Sequence, residues 1–530
     1  MVHWSDVIGA RLVEQRPNHL VNTGITPSGE FHIGHLREML TGEMIARGVR
    51  KAGGTAELCF IIDSADPLRK VYSFLDEAYA EYIGVQLFRI PPPDAEGKPD
   101  LAAFESGTTY ADHFLAPFLE ALDMLGVRPR LVYNHQSYAE GRYVEHVRTA
   151  LQQRERVRQI IEEISGRELT ADWWPYSPVD EKGCMDGLKV TGFDDTHVHW
   201  QAEDGRTGSC DYTVGEGKLP WRLDWPAKWV WLDVTCEAFG KDHGTTGGSY
   251  DTGAELCRLF GAEPPEGLTY EWISLRGQGA MSSSAGTTVG PIEALQLVPP
   301  EILRYLIAST KPAKAIEFDT GMGLVNLADA YERLLRHDLE AKLEDEELSR
   351  RKRVAIEDDI SATRLSSVEE RNNRPGAVGV TFRHLAMLAQ IRSSDEQVWN
   401  MIPNEGVDRK EFDTRLNRMR HWISSHHFPD EMRIGIRDRP NAERLADLTP
   451  EEEALRKALI RNFEASLETG WNEANLSANV PDAAREVELP LREAYRLTYE
   501  LLLGVDVAPK LAPLLAAMEP ERVLHLMRGE

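Results

Sequence analysis

Near its start the chain alternates between apolar runs and small polar turns. Residues 21–63, VNTGITPSGEFHIGHLREMLTGEMIARGVRKAGGTAELCFIID, begin with a strand-like segment and a turn of Gly, Pro and Ser. The pattern then predicts a helix from about Phe31 to Lys51, a Gly-Gly stop, and a β-rich run that ends at Asp63. This order of elements predicts a βαβ unit, the building block of a parallel sheet.

The second half of the chain has a different period. After about residue 325, apolar residues recur at spacings of three and four, as in TFRHLAMLAQIR and KEFDTRLNRMRHWISS. The clearest helix is LTPEEEALRKALIRNFEASL, where Thr449 and Glu452 form a capping box and Pro450 takes the first helical position. We therefore expect an α/β region followed by an all-helical region.

The composition narrows the class of protein. A chain of 530 residues is too long for one ordinary core, so we expect two or three domains. With 42% hydrophobic and 28% charged residues and no apolar run of membrane-spanning length, we expect no membrane association. The first residues include no apolar signal region, which favours a cytoplasmic location. The net charge of −26 disfavours DNA binding and requires any nucleic-acid surface to be local.

The segment TPSGEFHIGH contains the first candidate chemistry. A Pro-Ser-Gly turn leads into a helix whose first turns carry His32 and His35, three residues apart on one face. A helix N-terminus offers unpaired N–H groups, and two imidazoles there can donate to phosphate oxygens. Gly34 lets a nucleotide approach the backbone closely. A His-x-x-His pair alone is more often two surface histidines, but the Gly-rich βαβ setting favours a phosphate site.

Two motifs in order carry a family resemblance. HIGH after TGITPSG is similar to the first signature of class I aminoacyl-tRNA synthetases, and MSSS within GAMSSSAG, about 250 residues later, resembles the second. Within that class, DSADPLRKV, YADHF, GKDHGTTGGSYDTG and LTYEWISLRGQG resemble class I lysyl-tRNA synthetases. The resemblance covers about residues 20–320 well and the helical remainder loosely.

The resemblance implies a fold and a domain order. We expect a Rossmann-like catalytic domain with a parallel sheet at residues 1–325, with an insertion at about 95–220, and an all-α anticodon-binding domain of two helical subdomains at 326–530. Residues from about 165 to 215 resemble a zinc ribbon that lacks its Cys pairs and keeps only Cys184 and Cys210, with His197 and His199 in alternation. Because zinc draws its ligands from close pairs, we predict no zinc and no other protein-bound metal.

The resemblance also implies a reaction. ATP and L-lysine form lysyl-adenylate, and the lysyl group passes to the 3′-terminal adenosine of tRNA(Lys) without a covalent enzyme intermediate. Mg²⁺ with the ATP is implied by the charge of the pyrophosphate, and we take a monomer as the default. His32 and His35 are the expected catalytic phosphate contacts. The expected ATP-binding residues are Pro27, Ser28, His32, Gly34, His35, Met281, Ser282, Ser283 and Ser284.

The same resemblance implies a lysine pocket. Its expected residues are Gly24, Thr26, Trp221, His243 and Tyr270, with Trp221 preferred over Trp225. A buried ammonium without a partner is very costly, so the pocket also needs a carboxylate or an aromatic face. Asp63, Asp66 and Asp242 are the candidates for this partner, and the sequence does not choose among them.

The second signature loop lacks the lysines of the family, because Ala280 and Ala285 stand at their positions. Removing one preorganised donor from a transition state often costs about 10² to 10³ in rate. One interpretation is an active enzyme in which Ser282, Ser283, Ser284 and loop amides bind phosphate and Arg276 supplies charge. A second is a paralogue with another amino acid or acceptor. A third is a non-catalytic tRNA-binding or regulatory protein. We carry the first forward as the hypothesis.

Overall fold

The computed structural model describes residues 2–276, 279–280, 289–369, 380–505 and 510–530. The chain divides into two units. The sheet unit comprises Met1–Leu295, Pro300–Asp319 and Arg333–Pro375, and the helical unit comprises Gln296–Pro299, Thr320–Glu332 and Gly376–Glu530. The domain boundary expected at residue 325 stays a prediction, since part of the chain beyond it groups with the sheet unit.

The sheet unit contains the strands. In chain order they are β1 (Asn18–Ile25), β2 (Thr55–Ile62), β3 (Arg130–Tyr133), β4 (Leu188–Phe193), β5 (His197–Ala202), β6 (Thr207–Asp211), β7 (Cys236–Gly240), β8 (Glu266–Tyr270), β9 (Ile273–Leu275), β10 (Gly279–Ala280) and β11 (Ile316–Phe318). The central sheet has the order β3-β2-β1-β7-β8, and all its neighbouring strands are parallel. Its inner strands β1 and β7 are buried almost throughout, as expected for a parallel sheet covered on both faces. The predicted Rossmann-like parallel sheet is confirmed.

Helices surround this sheet and continue after it. They are α1 (Trp4–Gln15), α2 (Ile33–Lys51), α3 (Leu101–Glu105), α4 (Tyr110–Met124), α5 (Asn134–Ala139), α6 (Val144–Gln152), α7 (Arg154–Ser165), α8 (Trp221–Leu232), α9 (Ser249–Leu259), α10 (Pro291–Leu297), α11 (Pro300–Ala308), α12 (Met322–Leu335), α13 (Leu339–Leu343) and α14 (Arg350–Ser366). No helix among the described residues is long and apolar enough to cross a membrane.

Helix α2 is the helix predicted from the HIGH segment, and two close contacts fix it in place. On one side, a Cβ on Gly42 would lie 2.9 Å from the Thr23 side chain of β1. On the other side, a Cβ on Gly48 would lie 2.2 Å from the Ser5 carbonyl oxygen of α1, so only glycine allows this approach. Helix α2 is therefore packed closely between α1 and β1 of the central sheet.

The insertion forms a small antiparallel sheet of order β4-β5-β6. Its buried residues share a core with α6, α7 and α9 that includes Val147, Ile160 and Trp200. Cys210 is buried and its thiol donates to the Val179 carbonyl at 3.0 Å, whereas the half-buried Cys184 thiol lies 3.6 Å from the Ile83 carbonyl. The two cysteines therefore make separate contacts, Cys210 within the insertion and Cys184 with a residue that precedes it.

The helical unit confirms the predicted all-α half. After α12 it contains α15 (Phe382–Ile391), α16 (Asp395–Asn400), α17 (Arg409–Ser424), α18 (Ala442–Ala446), α19 (Pro450–Thr469), α20 (Glu473–Glu486), α21 (Leu491–Leu502), α22 (Leu511–Ala517) and α23 (Pro520–Arg528). The capping box of α19 is present, with the Glu452 N–H donating to Thr449 Oγ1 at 3.2 Å. Buried apolar residues of α19, α20 and α21, such as Phe463, Val480 and Leu497, form part of its core.

Candidate active site

Two histidines stand at the N-terminus of α2. His32 Nδ1 accepts the Gly34 N–H at 3.1 Å, and His35 Nδ1 accepts the His32 N–H at 3.1 Å. A ring nitrogen that accepts a hydrogen bond has no proton, so each neutral ring carries its proton on Nε2. Burial lowers the pKa of His32 to about 4 and the pKa of His35 to about 3. Near neutral pH both rings are therefore uncharged Nε2–H donors.

The loop from β1 to α2 is a fixed turn at the carboxyl edge of the sheet. The Ser28 N–H donates to the Thr26 carbonyl at 2.8 Å, and the Tyr110 hydroxyl donates to the Ser28 carbonyl at 2.8 Å. This turn holds Pro27 and Ser28 next to the histidines and Gly34. Open α/β sheets bind ligands at this edge, so the predicted ATP residues of the first signature lie together where a nucleotide is expected.

A cavity of about 210 Å³ lies at the same edge. Its wall contains Gly24, Thr26, Glu38, Asp63, Asp66, Lys218, Trp221, Asp224, Trp225, Lys228, Glu237, Ala238, Phe239 and His243. Four of the five expected lysine-pocket residues are in this wall. The fifth, Tyr270, reaches it through a hydrogen bond to Glu38. The structure thus brings all five residues together around one cavity.

Two lysines of the chain neutralise most of the aspartates in the wall. Lys228 Nζ lies 2.7 Å from Asp224 Oδ2 and also contacts Asp63, and Lys218 contacts Asp66. We call these five residues the aspartate–lysine cluster. Two of the candidate partners for a substrate ammonium, Asp63 and Asp66, are therefore already paired. The cluster thus contains three carboxyl groups and two ammonium groups.

Neighbouring groups favour the charged forms of Lys228 and Asp66 in this cluster. Burial lowers the pKa of Lys228, but Asp224 and Asp63 outweigh this effect and raise it well above its ordinary value. Burial also raises the pKa of Asp66, yet Lys218, Lys228 and Thr26 together bring it below its ordinary value. The Tyr138 hydroxyl donates to Asp224 at 2.6 Å. Asp63 differs, because burial outweighs the effect of Lys228 and raises its pKa above its ordinary value.

Glu38 faces the cavity without a cation. Its Oε1 accepts the Gly24 N–H at 2.8 Å, and its Oε2 accepts the Tyr270 hydroxyl at 2.7 Å. Burial raises the pKa of Glu38 to about 8, and neighbouring carboxylates add to this rise. Among the described residues no Lys, Arg or His forms an ion pair with it. A cation that enters the cavity would favour its ionised form.

Aromatic side chains complete the wall. The indole N–H groups of Trp225 and Trp229 donate to Glu237 at 2.8 and 2.9 Å, which fixes both rings. The His243 ring lies 5.6 Å from the Trp221 ring and 5.5 Å from the Trp225 ring, measured between centroids. Both Trp221 and Trp225 line the cavity, so the preference for Trp221 stays a prediction.

The remaining candidates lie elsewhere. Asp242 is exposed, 3.6 Å from His243 Nε2, and is not part of the cavity wall. Arg276 is exposed and pairs with Asp319 at 2.6 Å. The expected ATP residues of the second signature, Met281, Ser282, Ser283 and Ser284, lie outside the described residues, as does Ala285.

The metal predictions concern the cysteines and histidines of the insertion. Among the described residues, no group of three or more His, Cys, Asp or Glu side chains is arranged to hold a metal ion. His199 Nε2 lies 3.1 Å from Asp194, on the exposed side of β5. The expected absence of zinc stays a prediction.

Sequence reasoning missed several residues of the cavity wall. The charged ones are Glu38, Lys218, Asp224, Lys228 and Glu237, and the apolar ones are Ala238 and Phe239. One signal was available for Glu38, which follows His35 by three residues on the predicted helix and so shares its face. A second was the spacing of Asp224 and Lys228, four apart on one helix. The pairing of Lys218 with Asp66 joins distant parts of the chain and has no local signal.

Comparison with known proteins relates this geometry to a family. The family model described as "tRNA synthetases class I (K)" matches residues 2–357. A lysine–tRNA ligase of Archaeoglobus fulgidus is 36% identical over 536 residues and covers 100% of both chains. One of Methanosarcina barkeri is 35% identical and covers 98% of this chain and 96% of its own. Among solved structures, a glutamate tRNA ligase from Elizabethkingia meningosepticum, in complex with its amino acid, matches 96% of this chain and 98% of its own at 14% identity and a TM-score of 0.45. The chain therefore belongs to the class I (K) tRNA synthetases.

Proposed function

We propose that this enzyme is a lysine–tRNA ligase that joins L-lysine to tRNA(Lys) in two steps at the cavity beside α2. In the first step a lysine carboxylate oxygen attacks the α-phosphorus of ATP, and the bond to the departing pyrophosphate breaks. In the second, a hydroxyl oxygen of the 3′-terminal adenosine attacks the carbonyl carbon of lysyl-adenylate, and AMP leaves with the electron pair. The relatives named lysine–tRNA ligase, which match the chain over almost its whole length, support this assignment.

The observation that carries the proposal is the carboxylate of Glu38, which faces the cavity without a cation partner among the described residues. Two groups without charge, the Gly24 N–H and the Tyr270 hydroxyl, hold it in place, and no described cation balances it. The three aspartates nearby have the chain's own lysines as partners. We therefore assign the ε-ammonium of the substrate to Glu38, in preference to Asp63, Asp66 or Asp242. In this position the ammonium of the substrate supplies the positive charge that no described side chain provides to Glu38.

We place the α-ammonium of lysine beside the aspartate–lysine cluster. The cluster has one more carboxyl group than it has ammonium groups, and a second cation there would favour the ionised form of Asp63. Residues three apart on a helix have Cβ atoms about 5–6 Å apart, so Glu38 and His35 are neighbours on one face of α2. With the ε-ammonium at Glu38, the α-carboxylate is directed toward the histidines and the nucleotide.

His32 and His35 serve as neutral donors to the phosphates. Their Nδ1 atoms are occupied by backbone N–H groups, so the Nε2–H groups remain for phosphate oxygens. Donors that are already oriented stabilise developing charge without reorganisation. Mg²⁺ would accompany ATP, since it binds substrate phosphate oxygens and keeps several waters. The chain's part is to hold the α-phosphate in line with the lysine carboxylate.

The pyrophosphate needs further stabilisation because Ala280 and Ala285 replace the family's lysines. We keep Ser282, Ser283, Ser284 and the loop amides as its contacts, with Arg276 as the source of positive charge. Arg276 is exposed where it pairs with the partly buried Asp319, and solvent weakens ion pairs of exposed side chains. The guanidinium can therefore turn from Asp319 toward a triphosphate at little cost.

Pyrophosphate exchange into ATP, measured for each amino acid with and without tRNA(Lys), tests this function. We expect exchange that depends on lysine, and charging of tRNA(Lys) that follows it. Norleucine is the matched control, because it keeps the aliphatic chain and lacks the ε-ammonium, and it should not compete with lysine. Exchange with a different amino acid would instead favour a paralogue. No exchange with any amino acid, even with tRNA, would favour a non-catalytic tRNA-binding protein.

A further inference from the structure

We propose that Arg69, Lys70, Tyr72 and Phe74 form a surface that binds the single-stranded 3′ end of tRNA, an inference that rests on the proposed function. We call these four residues the stacking surface. They follow directly on the DSADP segment whose first and last aspartates belong to the cavity region. The function described above uses none of these four side chains.

Two aromatic rings form the apolar part of the stacking surface. The rings of Tyr72 and Phe74 are parallel, with 2° between their planes and 5.5 Å between their centroids. Phe114 supports Phe74 edge-on at 5.4 Å. Both Tyr72 and Phe74 are only partly buried. Unpaired bases stack on such rings whatever their sequence, whereas paired bases are already stacked in a duplex.

Two cations form the charged part. Arg69 and Lys70 are exposed, and no carboxylate among the described residues forms an ion pair with either of them. Lys70 Nζ lies over the Tyr72 ring, 5.4 Å from its centroid. Many arginines of this chain pair with a neighbouring carboxylate, as Arg128 does with Asp123 at 2.9 Å. In a chain with a net charge of −26, exposed cations without such partners make this a local site for phosphates.

The stacking surface borders the reaction centre. A Cβ on Gly29 would lie 2.9 Å from the Phe74 ring, so the ring packs against the turn that leads into α2. His32 follows Gly29 by three residues, and three residues span at most about 11 Å. The reacting hydroxyl belongs to the last nucleotide of tRNA. A strand whose end lies at the adenylate can therefore place a neighbouring base on Tyr72 and Phe74.

The test compares two forms of tRNA(Lys), one intact and one shortened by its unpaired 3′ nucleotides, in their equilibrium binding to the full chain. For the wild type we expect tighter binding of the intact form. Tyr72→Leu keeps apolar bulk but removes the aromatic face, and we expect it to weaken binding of the intact form about 5- to 150-fold and to leave the shortened form unchanged. Tyr72→Phe keeps the ring and should retain wild-type affinity.

The charged part has its own measurement. Lys70→Gln should reduce the slope of log affinity against log salt by about 0.7 for the intact form only. Arg128→Gln is the matched control, because it removes an equal charge just before the amino end of β3. The stacking surface instead follows the carboxyl end of the neighbouring parallel strand β2. It should leave the ratio of the two affinities unchanged.

Calorimetry of L-lysine binding separates this inference from the proposed function. Each variant should bind lysine as the wild type does, which also shows that it is folded. If the wild type binds no lysine, the proposed function fails. If it binds lysine but holds both tRNA forms equally, or if Tyr72→Leu weakens both forms equally, the stacking surface does not bind the 3′ end and this inference is wrong.

Discussion

Helix α2 carries two glutamates, Glu38 and Glu43, in opposite electrostatic surroundings. Glu43 is buried and pairs with Arg304 at 2.7 Å and with Arg47. Burial raises its pKa, but the two guanidinium groups outweigh this effect and bring the pKa below its ordinary value. Among the described residues, Glu38 receives hydrogen bonds only from groups without charge, and its pKa is raised to about 8. The negative charge of a glutamate on this helix is thus balanced by arginines at Glu43 and is not balanced by a described cation at Glu38.

This difference separates a structural role from a binding role. Both arginines that meet Glu43 also donate to backbone carbonyls, Arg47 to Ser367 at 2.8 Å and Arg304 to Leu365 at 3.0 Å. The network therefore joins α2 to the end of α14 inside the sheet unit. The carboxylate of Glu38, which has no cation partner among the described residues, faces a cavity instead. A carboxylate that the fold does not neutralise is available to a cationic ligand.

The largest expected effect is on the balanced side. Glu43→Gln leaves two buried guanidinium groups without their counter-charge, so the free energy of unfolding should fall by about 3–5 kcal/mol. Because the pKa of Glu43 lies below its unfolded value, its contribution is present above that unfolded pKa and is lost as the pH falls through the folded pKa. Denaturant unfolding at several pH values measures both effects. Lysine affinity should not change. A loss of lysine binding in the folded variant would contradict the separation of a structural role for Glu43 from a binding role for Glu38.

The next largest effect concerns the donors at the start of the helix. His32→Ala and His35→Ala should each slow adenylate formation by about 10²–10³-fold, because each removes one oriented donor. Lysine binding should remain nearly intact, since neither ring lies in the cavity wall. Pyrophosphate exchange and lysine calorimetry on the same samples separate the two quantities. If lysine binding is lost instead, the assignment of this helix end to the phosphates is wrong.

A third prediction compares the buried arginines with an exposed one. Arg276→Ala should barely change stability, because the Arg276 side chain is exposed. If Arg276 supplies the charge missing at Ala280 and Ala285, pyrophosphate exchange should fall by about 10²-fold. Lys314→Ala, which removes another exposed cation of the sheet unit, serves as the control. Unchanged exchange in Arg276→Ala rules out its role.

The smallest expected effect is the release of a proton from Glu38 when lysine binds. Since Glu38 has a folded pKa of about 8, above its unfolded value of 4.5, free enzyme loses stability as the pH rises from about 4.5 to about 8. Bound ε-ammonium favours the ionised form, so lysine binding near pH 7 should release close to one proton from Glu38. Affinity should then rise by at most about tenfold per pH unit below pH 8. Calorimetry in buffers of different ionisation enthalpy measures the release, and Glu38→Gln should abolish this part of it.

Much of the fold could be predicted from local patterns. The βαβ start, the α2 helix and the capping box of α19 depend on residues close in sequence, and these predictions are confirmed. The aspartate–lysine cluster could not be predicted in this way. Lys218 meets Asp66 only through tertiary folding, and a lysine in sequence is normally assigned to a solvated face.

The cavity shows the same limit. The resemblance supplied Gly24, Thr26, Trp221, His243 and Tyr270, which the structure gathers around one space. The choice among carboxylates required knowing which of them have partners. Asp63 and Asp66 have lysines, and Glu38 has none among the described residues. This distinction is a property of the folded charge balance, and no spacing in the sequence encodes it.

The most direct test of the account is the dissociation constant of L-lysine for the wild type, Glu38→Gln and Glu43→Gln, measured by calorimetry at pH 8. Truncating one partner of a buried charged pair usually costs about 2–5 kcal/mol, so we predict that Glu38→Gln weakens lysine binding by about 30-fold or more and abolishes the preference for lysine over norleucine. Glu43→Gln should bind lysine as the wild type does. Equal affinities for wild type and Glu38→Gln would contradict the claim that the unbalanced carboxylate of α2 receives the substrate's ammonium.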